Sequence, residues 1–429
     1  MWFRRDLRLD DNAALYHALR SGKPVVPVFI FDKNILDDIE EKQDRRVEFI
    51  RNVLLEMQEE LKAYTTSLYI FYDTPKNVFE QLLKEYTIED VFANEDYEQY
   101  ALDRDEAIAL LLKEHKAQLK LYKDQVIFAK DEVVKDNGEP YTVFTPYSKK
   151  WLTKLSVFYL KSYPTKKYFK NFNKEQAHRI PSLRSMGFKE LDKHFPSKTV
   201  HTELLKDYKQ TRDFPGINGT SRLGIHLRFG TISIRQLATK AKQQSAVYLN
   251  ELIWREFYFM ILWHFPHVRK GYSFHKEMDG IRWRNNEKEF KAWCDGKTGY
   301  PIVDAGMREL NETGFMHNRV RMITASFLAK HLLIDWRWGE AFFAKKLLDY
   351  DYAANNGGWQ WSAGTGCDAM PYFRIFNPTA QAKKFDKELK YIRKWVPELD
   401  SFDYPKPIVE HEFARKRALE VYSEAVKKK

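Results

Sequence analysis

The sequence predicts an α/β N-terminal domain on a doubly wound, Rossmann-like parallel sheet, followed by an all-α C-terminal domain. Three observations carry this. Short apolar runs alternate with helix-patterned segments from residue 1 to about 125, the rhythm of parallel strands joined by crossover helices. From about 126 to 200 the periodicity lapses into a stretch rich in Lys, Tyr, Asn and Pro. After about 200, strand signals are scarce while helix-spaced apolar segments run nearly to the end. The expected organisation is an α/β domain over 1–125, a connector over 126–200 and a helical domain over 201–429.

Taken in order, residues 25–31 (VVPVFIF) form a continuous apolar run of buried-strand length. Ile50, Val53, Leu54, Met57 and Leu61 are spaced to share one helical face. Residues 67–72 (SLYIFY) read as a second strand, and PKNVFEQLLKEY as a helix opened by Pro75. DVFANE is a third strand, ALDRDEAIALLLKEH a helix and QLKLYK a fourth strand. A further strand should precede the helix DDNAALYHALR, yet only Met1 and Trp2 stand before FRRDLRL. Either that strand is very short or the chain starts upstream of it. The connector segments KDNGEPYTVFTPYSKKW and KSYPTKKYFKNFNKEQ lack clean periodicity and are expected to lie over their neighbours' surfaces. The helical half is carried by YLNELIWREFYFMILWHF, YPIVDAGMREL, RVRMITASFLAKHLLIDW and GEAFFAKKLLDY, and the chain closes on a basic amphipathic helix, FARKRALEVYSEAVKKK.

Composition narrows the function. Of 429 residues, 15% are aromatic, which suits a thick core, stacking surfaces for a planar ligand, or both. A net charge of +11 raises the odds of a polyanionic partner, most often nucleic acid, against a generally basic surface. The two cysteines, Cys294 and Cys367, make neither a disulfide framework nor a metal site, so a reducing compartment and no metal are expected. No apolar run is long enough to span a membrane, and the start, MWFRRDLRLDDN, lacks the apolar core of a signal peptide. A cytoplasmic, bacterial-type monomer without a membrane partner is the default.

Four segments concentrate chemistry. In 250–258 (NELIWREFY), Glu251, Trp254 and Arg255 share a helical face; they suit a pocket, or a Glu–Arg pair on a solvated face. In 315–328 (FMHNRVRMITASFL), Asn318, Arg321 and Met322 share a face. Asn offers donor and acceptor to a heterocycle edge, and a buried Arg321 would need an acid such as Asp349 or Asp351; an ordinary helix with a surface Arg is the alternative. In 218–230 (NGTSRLGIHLRFG), Thr220 and Ser221 stand where a helix would start, an anion site suited to a diphosphate or a plain N-cap. Residues 352–366 (YAANNGGWQWSAGTG) pack two Asn, two Gly and two Trp into seven uncharged positions. Gly-Gly disfavours helix and strand alike, so an uncharged turn between two large aromatics is expected, with Asn355 just before it.

Together these segments, with FRRDLRLDDNAAL, GEPYTVFTPY, GKTGYPIVDAGMRELNETGFMHNRVRMITASFL, DYDYAANNGGWQWSAGTGCDAMPYFRIFNP and YPKPIVEH, resemble the photolyase/cryptochrome family of blue-light flavoproteins. The resemblance covers essentially the whole chain and is closest to the class I cyclobutane pyrimidine dimer (CPD) DNA photolyases. It implies an α/β antenna domain, a connector and an all-α domain holding FAD in a U shape. The activity implied is light-driven repair of UV-damaged DNA, single- or double-stranded and of any sequence, in which excited FADH⁻ passes an electron to a flipped-out dimer. By resemblance, Tyr208, Thr220, Ser221 and Leu223 grip the FAD diphosphate and ribityl chain; Gly224 replaces a serine common in relatives, so one contact is in doubt. Arg255, Arg321, Asp349 and Asp351 frame the flavin, and Asn355 faces its N5. Glu251 hydrogen-bonds the dimer bases with Asn318 and Met322 beside it, Trp254 and Trp361 wall the dimer, and Arg212, Arg319 and Arg374 contact the DNA backbone. Trp359, Trp336 and Trp283 match a chain carrying an electron from the surface to the flavin.

The alternative is a cryptochrome, a light sensor without repair activity. Asn355 is the photolyase choice where signalling relatives of plants and animals usually have Asp or Cys, and the chain ends soon after PIVEH without a long tail. The (6-4) photolyases resemble HNxxxH where this chain has HNRVRM. A second antenna chromophore (folate, deazaflavin or flavin) is expected in the α/β domain. NEDYEQYALDRD resembles the region contacting it, but Tyr100 and Ala101 replace the Asn-Glu of folate binders, so the folate ligands are not carried over.

Overall fold

The structure, a computed structural model, describes residues 1–174, 178–191 and 194–427. It divides into two compact units. The first comprises Met1–Ala129, Leu155–Thr199 and Arg222–Lys240; the second comprises Lys130–Lys154, Val200–Ser221 and Ala241–Lys429. Among the described residues no helix is long and apolar enough to cross a membrane.

The first unit is α/β. Its strands are β1 (Trp2–Phe3), β2 (Val28–Asp32), β3 (Tyr69–Asp73), β4 (Asp90–Asn94) and β5 (Gln118–Tyr122). All ladders are parallel: β2 pairs with β1 and β3, and β4 pairs with β5. β1 spans two residues; it neighbours β4 but is too short to extend a ladder to it, so the sheet reads as two pieces. Every residue of β2 is buried, as expected of a parallel strand covered on both faces. Val25, at the start of the same apolar run, leaves the ladder and bridges Phe172, because Pro27 has no N–H to donate. Helix Arg45–Lys62 buries Val53, Leu54, Met57 and Leu61 and is opened by Asp44, whose side chain accepts from Arg46 N. The charged start of the chain is internally neutralised: Arg8 donates to Asp124 Oδ2 at 2.7 Å, and Arg235 to Asp11 Oδ1 at 2.8 Å. Buried charges persist when paired this way.

The second unit is helical. Its helices include Ala246–His264, Pro301–Thr313, Asn318–Ser326, Trp336–Lys346, Tyr352–Ala363 and His411–Lys427. Pro301–Thr313, Asn318–Ser326, Trp336–Lys346 and Tyr352–Ala363 contribute to a core that includes Trp293, Val303, Leu310, Val320, Phe327, Trp336, Phe343 and Trp359. Part of the stretch that lacks obvious periodicity also belongs here: Phe144–Lys154 is a helix burying Phe144, Tyr147, Ser148 and Trp151, an i, i+3, i+4, i+7 face hidden among lysines.

Two expectations are corrected. Residues 352–363 are not a turn but an unbroken helix, capped by Asp351, whose side chain accepts from Ala353 N, and ended by Gly364 at φ 83°. Its two central glycines answer to space rather than to backbone freedom. A Cβ on Gly357 would fall 2.2 Å from Tyr258 Cδ1, so helix Ala246–His264 can approach only bare backbone there. A Cβ on Gly358 would meet nothing within 4 Å. We expect Gly357→Ala to destabilise the fold by about 1–3 kcal/mol, because overpacking against Tyr258 outweighs a helix-propensity gain of roughly 1 kcal/mol; chemical denaturation measures it. The second correction concerns Thr220 and Ser221. The helix begins at Gly224, and Arg222 at φ 52° turns the chain off the helical path, so the two hydroxyls precede the helix rather than open it.

Candidate functional site

Within the helical unit, helices Asn318–Ser326 and Tyr352–Ala363 face each other across a cavity of about 140 Å³. Asn318, Arg321, Met322, Asp349, Asp351, Asn355, Gly358 and Trp359 line it. Arg321 is fixed at both ends of its guanidinium: Nε donates to Met316 O at 2.8 Å, and Nη2 donates to Asp349 Oδ1 and Oδ2 at 3.0 and 2.9 Å. Asp351 is buried and holds the start of the second helix. Asn355 donates from Nδ2 to Glu340 Oε1 at 2.9 Å. The backbone carbonyl of Glu340, 3.3 Å from the same Nδ2, can only accept, so the amide is oriented and Oδ1 is the acceptor it offers.

These residues fit a flat heterocycle such as a flavin ring. The bare backbone of Gly358, which a Cβ would extend into open space, permits close approach of a ring. The Arg321–Asp349 pair and the two asparagines supply the directed polar groups that fix orientation in such a pocket. Trp359 lines the same space with its Nε1 buried and without a hydrogen-bond partner among the described residues.

The remaining residues expected at the cofactor are more scattered. Tyr208 meets Tyr248 edge-on, with centroids 4.9 Å apart, and Ser221 Oγ lies 2.8 Å from Tyr248 Oη. Thr220 is half-buried beside Ser221. Leu223 and Gly224 fall in the first unit, at the start of helix Gly224–Phe229. Arg255 sits over the Phe259 ring at 4.7 Å and is not part of the cavity lining.

The groups expected at the substrate occupy helix Ala246–His264 and its surroundings. Trp254 is stacked on Phe144, centroids 3.6 Å apart and planes 6° from parallel, which fixes its ring plane. Glu251 is ion-paired with Arg212. Burial pushes the Glu251 carboxyl above the ordinary value, and Arg212 pulls it partly back. Arg319 donates from Nη2 to Asp213 Oδ1 at 2.7 Å and approaches Met322 Sδ at 3.7 Å through Nη1. Glu251 is thus held by Arg212, and the next residue in the chain, Asp213, holds Arg319, which reaches Met322 at the cavity wall. Arg374 is exposed, and its guanidinium has no ion pair among the described residues. Trp361 is half-buried, on the side of its helix turned away from Trp359.

Comparison with known proteins decides what this assembly belongs to. Residues 1–167 match the family described as DNA photolyase, and residues 248–403 that described as the FAD binding domain of DNA photolyase. The chain is 39% identical to the deoxyribodipyrimidine photo-lyase of Escherichia coli (strain K12), covering 100% of this chain and 99% of that one. It is 38% identical to the enzyme of the same name from Vibrio cholerae, covering 99% of both.

The chain belongs to the photolyase/cryptochrome family.

Among solved structures, it is similar to a bacterial class III photolyase from Agrobacterium tumefaciens, with a TM-score of 0.87 and 32% identity over 99% of this chain and 97% of that one. It is also similar to an archaeal photolyase from Sulfolobus tokodaii described as carrying two FAD molecules and implying a novel light-harvesting cofactor, with a TM-score of 0.81 and 34% identity over 99% of both chains. As in the rest of this family, the cofactor is FAD.

The three tryptophans form a graded series. Trp359 and Trp336 are core residues, 2% and 1% exposed, while Trp283 is only partly buried against the same cluster. Helix Trp336–Lys346 presses on Trp359 at Gly339, where an added Cβ would come within 2.0 Å of Cη2. The Trp283 segment is tied to the start of that helix: Arg284 N donates to Leu333 O at 2.7 Å, and Asp335 N to Asn285 Oδ1 at 2.8 Å.

Sequence reasoning missed three supporting residues. Phe144 backs Trp254, Glu340 orients Asn355 and Asp213 holds Arg319. Only Phe144 left a signal, as an aromatic inside GEPYTVFTPY. In the α/β unit, Tyr100 donates to Asp32 Oδ2 at 2.5 Å and accepts from Asn34 Nδ2 at 3.1 Å. It therefore ties its helix to the end of β2, at the segment where folate binders differ.

Proposed function

We propose that the chain is a deoxyribodipyrimidine photo-lyase, a carbon–carbon lyase that repairs cyclobutane pyrimidine dimers in UV-damaged DNA in the light. The observation that supports this best is the polar frame of Arg321, Asp349 and Asn355 around one cavity, with the Arg212–Glu251 and Arg319–Asp213 pairs joining Met322 of its wall to the helix that carries Glu251. When bound in its reduced form and excited by light, FAD supplies the electron that splits the cyclobutane ring and takes it back afterwards.

The chain's own residues do the rest. Arg321, Asp349 and Asp351 hold the ring's polar edge, and Asn355 offers Oδ1 to its N5–H. Tyr208, Thr220 and Ser221 hold the remainder of the cofactor, with Arg255 at its margin. Trp254, stiffened by Phe144, and Trp361 give an extruded dimer two aromatic surfaces. Extrusion is cheapest for a lesion that already stacks and pairs badly. Glu251 donates a hydrogen bond to the dimer where negative charge develops, and Asn318 and Met322 complete the contact. Arg212, Arg319 and Arg374 engage phosphates, which positions single- or double-stranded DNA without reading its sequence.

The light-sensing alternative is weaker, because a sensor has no use for a dimer pocket of this composition. The proposal extends to a monomeric cytoplasmic enzyme that meets its substrate on the nucleoid. Residues 1–125 are its antenna domain, holding a second chromophore of the folate, deazaflavin or flavin class, 126–200 its connector and 201–429 its catalytic domain. The direct test is to mix reduced protein with UV-irradiated oligo-dT and follow thymine absorbance under blue light and in the dark. Recovery is expected only in the light; absence of light-dependent recovery sinks the proposal.

A further inference from the structure

Two of the arginines assigned to DNA are occupied. Arg212 is ion-paired with Glu251, and Arg319 with Asp213. The first pair is the informative one, because its partners compete. Arg212 reaches Glu251 through Nη1 alone, and a phosphate that engages the guanidinium draws its charge away from the carboxylate. A carboxylate, moreover, has only acceptors to offer, whereas a pyrimidine carbonyl needs a donor.

We propose that the Arg212–Glu251 pair is a latch opened by damaged DNA: a backbone phosphate takes Arg212, and Glu251, left without its counter-ion, takes up one proton from solvent and becomes the hydrogen-bond donor to the dimer. This rests on the repair function proposed above and adds the route by which the acid form arises. One O–H bond forms on Glu251 at the expense of a solvent or buffer proton, and no electron moves.

The surroundings of Glu251 favour this outcome. Helix Thr202–Thr211 and the residues at its end bring Tyr208, Arg212 and Asp213 to it; its own helix brings Tyr248 and Tyr258. Arg212 is the one cation of this set. Asp213, itself held by Arg319, is a like charge that opposes ionisation of Glu251. The three phenols are held neutral by burial, Tyr248 being pushed up to about 12. With Arg212 withdrawn, burial and Asp213 both favour the neutral carboxyl, and docked DNA excludes further water.

The sign of the linkage follows. The Glu251 pKa is higher in the complex than in the free protein, so the complex holds the extra proton between the two values. Affinity for damaged DNA is full below the free-state pKa, falls by up to about tenfold per pH unit between the two, and levels off above the value in the complex.

The test is titration calorimetry of the FAD-loaded protein with a duplex carrying one thymine dimer, in the dark, in two buffers of different ionisation enthalpy. We expect uptake of up to one proton per complex by the wild type and none by Glu251→Gln. Dimer-specific binding with no proton uptake, or uptake undiminished in Glu251→Gln, overturns the latch and leaves the repair function standing. Loss of the repair function itself reads differently, as no preference for damaged over undamaged DNA at any pH. A merely structural ion pair would change thermal stability but not the proton count. Should the Gln variant not fold, the wild-type infrared difference spectrum with and without damaged DNA reads the same event. A carboxylate band is lost and a protonated-carboxyl band gained; a spectrum without that exchange overturns the proposal.

Discussion

Gly358→Leu is expected to give a folded protein that purifies without flavin. The position lies mid-helix, so replacing glycine raises helix propensity by roughly 0.8–1 kcal/mol, and the new Cβ meets no atom within 4 Å. The fold therefore tolerates the change. The isobutyl group, however, projects into the cavity of about 140 Å³ that Arg321, Asp349 and Asn355 frame, where a ring would have to lie. Absorbance of the purified protein gives flavin content, and thermal unfolding in the absence of added FAD gives stability. Wild-type flavin content in a folded Gly358→Leu protein would show that the ring is held elsewhere. The neighbouring Gly357→Ala change should behave in the opposite sense, costing stability while leaving the cavity open, since its Cβ is aimed at Tyr258.

The second large effect concerns photoreduction. Trp359→Phe should largely abolish light-driven reduction of oxidised FAD while leaving repair by chemically pre-reduced enzyme. Trp359 and Trp336 are almost fully buried, and each Nε1 lacks a hydrogen-bond partner among the described residues. An indole oxidised in such surroundings cannot shed its N–H proton locally, so the positive charge is driven on to the next ring. Trp283, partly exposed at the edge of the cluster, can reach water and let the proton go. The structure ties the three together through Gly339 and the 283–285 and 333–335 segments. Transient absorption after a laser flash measures the outcome; photoreduction surviving unchanged in Trp359→Phe would exclude this route.

Much of the fold was legible because it depends on local pattern. Parallel strands announce themselves as continuous apolar runs, and the helical half as repeats of three and four. The misreading at 352–363 shows where pattern stops. Intrinsic propensity counts Gly-Gly against a helix, but the reason for Gly357 is a tyrosine ring on another helix, which no window along the chain contains. The lysine-rich Phe144–Lys154 helix was overlooked for a related reason, its buried face being diluted by charge. At the site, residue types and helical spacing brought Asn318, Arg321 and Met322 together correctly, and Asp349 was named as an acid for Arg321. The pairings that set protonation and orientation were not legible. Glu251 and Arg212 are 39 residues apart and Asn355 and Glu340 are 15 apart, and each pairing exists only once helices have packed.

The unequal standing of the three arginines proposed to meet DNA has an expected kinetic consequence. Arg374 is exposed with no ion pair among the described residues, whereas Arg212 and Arg319 are paired with carboxylates. Long-range attraction comes from the whole basic charge of the chain, +11 net, to which an unpaired Arg374 adds in full, so replacing it should change chiefly the salt-sensitive rate of association. The other two exchange one anion for another after contact, which adds little to the speed of arrival but delays departure. On the proposed DNA contacts, capture of a damaged strand would draw on unpaired charge such as Arg374 and retention on the two paired arginines, and ionic strength is expected to tune the first more than the second.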